Sequence, residues 1–215
     1  MCIRDSFETD PDEGDVVTAG SLTALWTNRP GWRWEPTDDS NRVTFTSGVV
    51  DEQLVLAGPA SVDLWVTIDG DDADLEATLT EIAPDGSETY IQSGWVRLSR
   101  RTLSEEATEL RPAISGLESD VARLSPDEEP VLVRIEILPF AHVMRDDSRL
   151  RLTVDTPGAS RPRWRFDVLE ESTTVTVHTG GAFDSSIVLP VLPGVTAPAE
   201  RPACGSLRGQ PCRPG

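Results

Sequence analysis

At 215 residues the chain has room for one large all-β domain, or two small ones, with a buried core. Acidic residues number 37 against 19 basic, giving a net charge of -18, and every basic residue is arginine; phosphate contact needs a basic face, so nucleic acid is not an expected partner. No stretch supplies the ~20 apolar residues of a membrane-crossing helix: the longest apolar run, 186–199, is broken by Pro190, Pro193 and Pro198. The expectation is a soluble protein with no membrane partner, cytoplasmic or secreted.

In chain order, residues 1–6 lack an apolar signal region and read unlike the acidic text after them, as a truncation or cloning scar would, leaving Cys2 without meaning. Residues 7–41 place Trp26, Trp32 and Trp34 around Pro30-Gly31 without helical or strand periodicity, and are expected to form an extended lead-in. From Arg42 the pattern has period two. Val62, Leu64, Val66 and Ile68 alternate with Ser61, Asp63, Trp65 and Thr67, which sets the aliphatic row on one sheet face. Leu75, Ala77 and Leu79 continue the pattern to Pro84-Asp85-Gly86-Ser87, and the chain runs back from Tyr90, so the Asp-Gly pair predicts a hairpin.

Residues 101–130 read as a long loop, with at most a short helix near 104–110. Val131, Val133, Ile135 and Ile137, then Leu150, Leu152 and Val154, predict two further strands, and 173–177 and 187–189 two shorter ones. That makes about eight strands in a sandwich occupying 42–194, followed by a Pro-rich tail over 195–215. Many short strands with almost no amphipathic helix predict an all-β, jelly-roll-like β-sandwich of two antiparallel sheets, galactose-binding-like in architecture, with long loops. The alternating rows need a second sheet about 10 Å away to cover them.

Several segments resemble, in order, the C-terminal domain of CocE/NonD hydrolases and of Xaa-Pro dipeptidyl peptidases: 43–47, 56–65, 80–86, 92–97, 136–144, 148–152, 155–158, 164–166 and 186–190. The resemblance covers about 42–194 and implies a jelly roll packed against an α/β-hydrolase catalytic domain, its expected partner. It also implies a parent enzyme that cleaves esters, acyl amides or Xaa-Pro peptide bonds through an acyl-enzyme. The chain departs from the full family pattern in having no Gly-x-Ser-x-Gly; Gly158-Ala-Ser160 is followed by Arg161-Pro162, where the nucleophile elbow needs a second glycine and a helix. Asp146-Asp147-Ser148 stands where relatives carry a glycine turn, which Asp can still form.

The expected role is therefore that of an accessory domain with no catalytic residue of its own. His142 and His178 are the only histidines, and without an elbow each is expected at a strand end rather than as a triad base. Trp65 falls on the polar face of its strand; with Trp95, His142 and Trp164 it is a candidate for an interdomain or cleft surface, since tryptophan is enriched where a large apolar face meets another surface. The tryptophans also fit a different class, a carbohydrate-binding β-sandwich module. Asp69, Asp71, Asp72 and Asp74 lack the glycine and glutamate of a calcium loop and are expected to be a solvated turn, so no metal or other cofactor is expected. Cys204 and Cys212 fit a small disulfide loop or two free thiols equally well.

Overall fold

The computed structural model describes residues 3–12, 14, 16–18, 23–26, 33–158 and 167–215. Among them, twelve strands run in chain order: β1 (Ile3–Glu8), β2 (Val16–Thr18), β3 (Arg33–Glu35), β4 (Arg42–Thr46), β5 (Leu54–Ile68), β6 (Asp74–Ile82), β7 (Glu88–Arg97), β8 (Val131–Met144), β9 (Arg149–Asp155), β10 (Thr174–Thr179), β11 (Ser186–Val188) and β12 (Cys212–Arg213). One sheet is built around the long β5. β8 pairs along one edge of it, β10 and then β11 lie end to end along the other, and β1 pairs outside β10. The second sheet has the order β12-β7-β6-β9-β4, and β2 and β3 form a separate hairpin. All pairings are antiparallel.

The aliphatic rows meet between the sheets as their alternation predicts. Val62, Leu64, Val66 and Ile68 of β5 and Val133, Ile135 and Ile137 of β8 face Leu75, Ala77 and Leu79 of β6 and Leu152 and Val154 of β9, each no more than 4% exposed. Burying each Val, Leu or Ile side chain is worth about 1.5–3 kcal/mol, so this double row is the main stabilising feature. The hairpin forms at Ala83–Ser87, where Gly86 has φ of 82° and its N–H donates to the Ala83 carbonyl at 2.9 Å. That is the left-handed position a glycine occupies without strain.

Eight strands, β4 to β11, fall where alternation predicts them. The other four are short edge elements in segments expected to be a scar, a lead-in and a tail. β1 occupies residues 3–8 and pairs with β10 from Ile3↔Thr179 to Glu8↔Thr174; Phe7 joins the core, at 2% exposure. Asp5, between Ile3 and Phe7 in the two-residue period, interrupts any apolar row that could be read there. β12 hydrogen-bonds to β7 through Cys212↔Thr89 and Arg213↔Glu88, and Cys204 and Cys212 are joined as a disulfide. The 101–130 segment is a loop with no helix at 104–110, stitched by a Leu103↔Ile114 bridge and one 3-10 turn at Glu118–Asp120.

Asp147, between β8 and β9, has φ of 62°, the left-handed region, and its N–H donates to the Val50 carbonyl at 3.0 Å. Left-handed backbone costs an ordinary L-residue about 1–2 kcal/mol and glycine nothing. Asp147→Gly is therefore expected to leave stability unchanged or higher, and Asp147→Val to lower it by about 1–2 kcal/mol, read from urea unfolding midpoints.

Candidate functional site

The most concentrated chemistry lies at one open end of the sandwich, and Pro139 is the reason it forms. Within β8, the register against β5 slips between the Gly58↔Phe140 and Ala60↔Ile137 pairs. Pro139 has no N–H for a ladder bond, which suits it to such a bulge. Because side chains alternate with period two, one extra residue reverses the inward set: Val133, Ile135 and Ile137 point into the core before the bulge, and His142 and Met144 after it, 6% and 1% exposed. Alternation along β6 places Glu81 after Leu75, Ala77 and Leu79 on the same inner face, 3% exposed. Imidazole and carboxylate thus meet between the two sheets.

His142 Nε2 donates to Glu81 Oε2 at 2.8 Å, and Nδ1 faces the Gln210 side-chain amide at 3.3 Å. The other oxygen, Oε1, accepts from Ser148 Oγ at 2.5 Å and Arg201 Nη1 at 2.5 Å. Burial pushes the Glu81 carboxyl upward, but the bonds from His142, Ser148 and Arg201 prevail and hold it down at about 2. Glu81 is therefore an ionised hub, and Arg201 and Gln210 bring the C-terminal segment onto it.

This cluster contains serine, histidine and a carboxylate, yet in the wrong order for acyl transfer. In a catalytic triad the imidazole lies between the hydroxyl and the carboxylate and takes the hydroxyl proton. Here the carboxylate lies between the other two, and Ser148 Oγ also accepts from Arg201 Nη2 at 2.8 Å, which holds its lone pair away from any electrophile. A hydroxyl–imidazole pair does occur elsewhere: Thr67 Oγ1 lies 2.9 Å from His178 Nε2. Each is the penultimate residue of its strand, on neighbouring strands of one sheet, with no strand–turn–helix elbow among the described residues to present a nucleophile.

A second polar knot lies one strand away. Glu88 accepts from Arg151 and Arg213 through Oε2 and from Thr80 through Oε1. The Arg213 guanidinium also lies 4.3 Å from the centre of the Trp34 ring, which meets Tyr90 edge to face at 6.0 Å. The tail is thus fastened by Arg201, Gln210 and Arg213, and the Cys204–Cys212 disulfide closes a loop within it.

The sequence candidates are dispersed. Trp65 is half-buried on the outer face of its sheet, against Phe183 at 5.3 Å between ring centres; Phe183 also lies 6.0 Å from His178. Trp95 is half-buried on the other sheet, in a concavity that includes Arg97, Arg100, Ile114 and Pro157. His142 is hydrogen-bonded in the buried network, two residues before the end of β8. His178 is the penultimate residue of β10, at the strand end where it was expected. Trp164 lies outside the described residues. The acidic run has separate protein partners: Asp69 accepts from Thr174 N–H, Asp71 pairs with Arg123, Asp72 accepts from the Ala73 and Ser99 N–H groups, and Asp74 binds Arg97 through both oxygens. Among the described residues, no three His, Cys, Asp or Glu side chains gather where they could hold a metal ion.

Sequence reasoning missed Glu81, Ser148, Arg201 and Glu88. The one available signal was Glu81 continuing an aliphatic row at the inward phase, where a carboxylate needs a buried partner.

The geometry is that of an antiparallel β-sandwich with a structural polar network and no acyl-transfer apparatus among the described residues. Residues 4–188 match the family model described as the X-Pro dipeptidyl-peptidase C-terminal non-catalytic domain, and the chain belongs to that family. It is 27% identical over 158 residues to proteins named as serine esterases from Mycobacterium bovis and Mycobacterium tuberculosis, covering 72% of this chain and 24% of each relative. The chain therefore spans about a quarter of the length of these curated relatives. Among solved structures, it resembles a CocE/NonD family hydrolase from Staphylococcus aureus, with a TM-score of 0.65 and 22% identity over 89% of this chain and 33% of that one. An α-amino acid ester hydrolase gives a TM-score of 0.59 and 15% identity over 88% of this chain and 32% of that one.

Proposed function

We propose that this domain acts as the accessory C-terminal unit of an α/β serine hydrolase that cleaves esters or acyl and Xaa-Pro peptide bonds, packing against the catalytic domain and helping to wall its substrate cleft. The observation that carries this reading is the match to a non-catalytic domain family over most of the chain, in a molecule whose buried Ser148, Glu81 and His142 are ordered for structure rather than acyl transfer. Trp95 and Trp65 are the aromatic candidates for the interdomain surface, with Trp164 and the His142 network as the further members of that set. Trp95 is the better placed of the two rings, because Ile114, 45% exposed, adds apolar surface to the concavity it lines.

The chain on its own is expected to release no p-nitrophenol from p-nitrophenyl acetate, and no p-nitroaniline from an Ala-Pro p-nitroanilide, above the buffer rate. Turnover lost on His142→Ala would overturn this. In the full parent chain, Trp95→Ala is expected to lower the temperature at which the catalytic and accessory domains separate, by scanning calorimetry, with the unfolding midpoint of the isolated sandwich unchanged. An unaltered parent thermogram would remove Trp95 from the interface.

A further inference from the structure

The outer face of the β5–β8 pair changes character at the Pro139 bulge. Leu56, Ala60 and Val62 are the buried set of β5, so its odd-numbered residues point outward. On the Ser61 side of the bulge, outward side chains are engaged: Ser61 Oγ donates to the Glu109 carbonyl of the 101–130 loop at 2.7 Å, and Arg134 donates to Asp63 at 2.7 Å. On the other side they are apolar. The register sets Val55 beside Val143 and Ala57 beside Ala141, with Pro59 opposite the bulge and Leu138 in it. Along the other edge of β5, Leu192 N–H donates to the Val55 carbonyl at 2.9 Å and Ala57 N–H to the Pro190 carbonyl at 3.0 Å, which adds Leu192 to the same face. Leu138 and Leu192 are 39% and 40% exposed, and Ala141 is exposed between them. An antiparallel sheet with a solvated outer face carries polar residues there, and a contiguous apolar patch marks a surface that another surface covers.

We propose, building on the accessory-domain reading, that this face is where the catalytic domain of the parent hydrolase docks, through an apolar patch of its own with a basic rim. Two features favour that occupant. The chain covers 24% of its esterase relatives and 33% of the CocE/NonD structure, so most of such a protein lies outside this domain. Being covalently joined, that part has a high effective concentration at the face, which a separate partner lacks. The patch is also bordered by exposed Asp51, Glu52, Asp146 and Asp147, in the segments that precede β5 and follow β8. A second copy of this chain brings the same acidic border and a further net charge of -18 against it, which opposes association. A charge-free centre inside a polar rim is the build of an interface core.

The test is hydroxyl-radical footprinting of the 215-residue chain and of the full parent chain, with oxidation of Leu138, Leu192 and Trp95 read by mass spectrometry. Leu138 and Leu192 are expected to be oxidised freely in the isolated chain and several-fold less in the parent. Leu138→Glu is expected to restore Leu192 oxidation in the parent while leaving the unfolding midpoint of the isolated sandwich within error of wild type, since that side chain already meets water. Protection of Trp95, on the other sheet, with none at Leu138 and Leu192 would overturn this docking face and leave the accessory-domain reading standing. Protection at none of the three would overturn both. A dimer of the isolated chain in light scattering, dispersed by Leu138→Glu, would give the face to a second copy and overturn the catalytic domain as its occupant.

Discussion

Gly94→Ala is expected to deprive the sandwich of most of its stability. Gly94 lies in β7 opposite Ala77 of β6, on the inner face where the β8 backbone from the other sheet comes closest. An added methyl carbon would stand inside contact distance of the Glu136 carbonyl oxygen, 2.7 Å from its carbonyl carbon and 3.1 Å from the Ile137 Cα. These are backbone atoms of a paired strand, so no rotamer change relieves the clash; β7 and β8 must move apart and break ladder bonds. Losses above about 4 kcal/mol are exceptional for one substitution, but an enforced backbone separation at the centre of a core belongs among them. Gly48→Ala, whose methyl would meet nothing within 4 Å, is the control and is expected to be neutral. Circular dichroism during urea unfolding would check both, and a Gly94→Ala midpoint within experimental error of wild type would show that the two sheets can slide.

The second large effect is expected at Glu81. Its carboxyl, ordinarily near 4.5, is held at about 2 in the fold, so the folded state prefers the ionised form more than the unfolded chain does. The resulting stabilisation is fully present above about pH 4.5 and disappears as pH falls through about 2; by linkage it amounts to about 3 kcal/mol. Glu81→Gln removes that contribution and leaves Arg201 and His142 facing a neutral amide, a loss of about 3–5 kcal/mol at neutral pH. The acid limb of the variant's stability curve should flatten between pH 4.5 and 2. Arg201→Gln should cost less, since its side chain is 30% exposed and water replaces part of the bond. Urea titrations at a series of pH values measure all three. A Glu81→Gln curve parallel to wild type would assign the acid sensitivity to other carboxylates.

Long apolar rows were readable in the sequence, and the cluster at the end of the sandwich was not. Val62 to Ile68, Leu75 to Leu79 and Val133 to Ile137 announce their faces because each repeats the two-residue period three or four times. β1 carries no unbroken apolar row and β12 is two residues long, and both hold by backbone bonds to β10 and β7, partners chosen by the tertiary fold. His142 was visible as a residue but not as a direction, since the bulge at Pro139 reverses the phase of β8 and a proline in sequence does not say which side the extra residue falls. Glu81, Ser148 and Arg201 lie 67 and 53 positions apart along the chain and become neighbours only when the sheets and tail are in place. The absence of a nucleophile elbow, by contrast, was plain from the residues, and the order of the Ser148–Glu81–His142 bonds agrees with it.

The pairing of β1 with β10 bears on how the domain emerges from a ribosome. Thr179, the partner of Ile3, is made about 170 residues later, which at roughly 5–20 residues per second is a wait of about 10–35 s. Until then Phe7 has no core to enter and the β1 edge offers its unpaired backbone groups to whatever is nearby. Charged, exposed Asp5 and Glu8 in so short a strand make it a poor template for another chain during that interval.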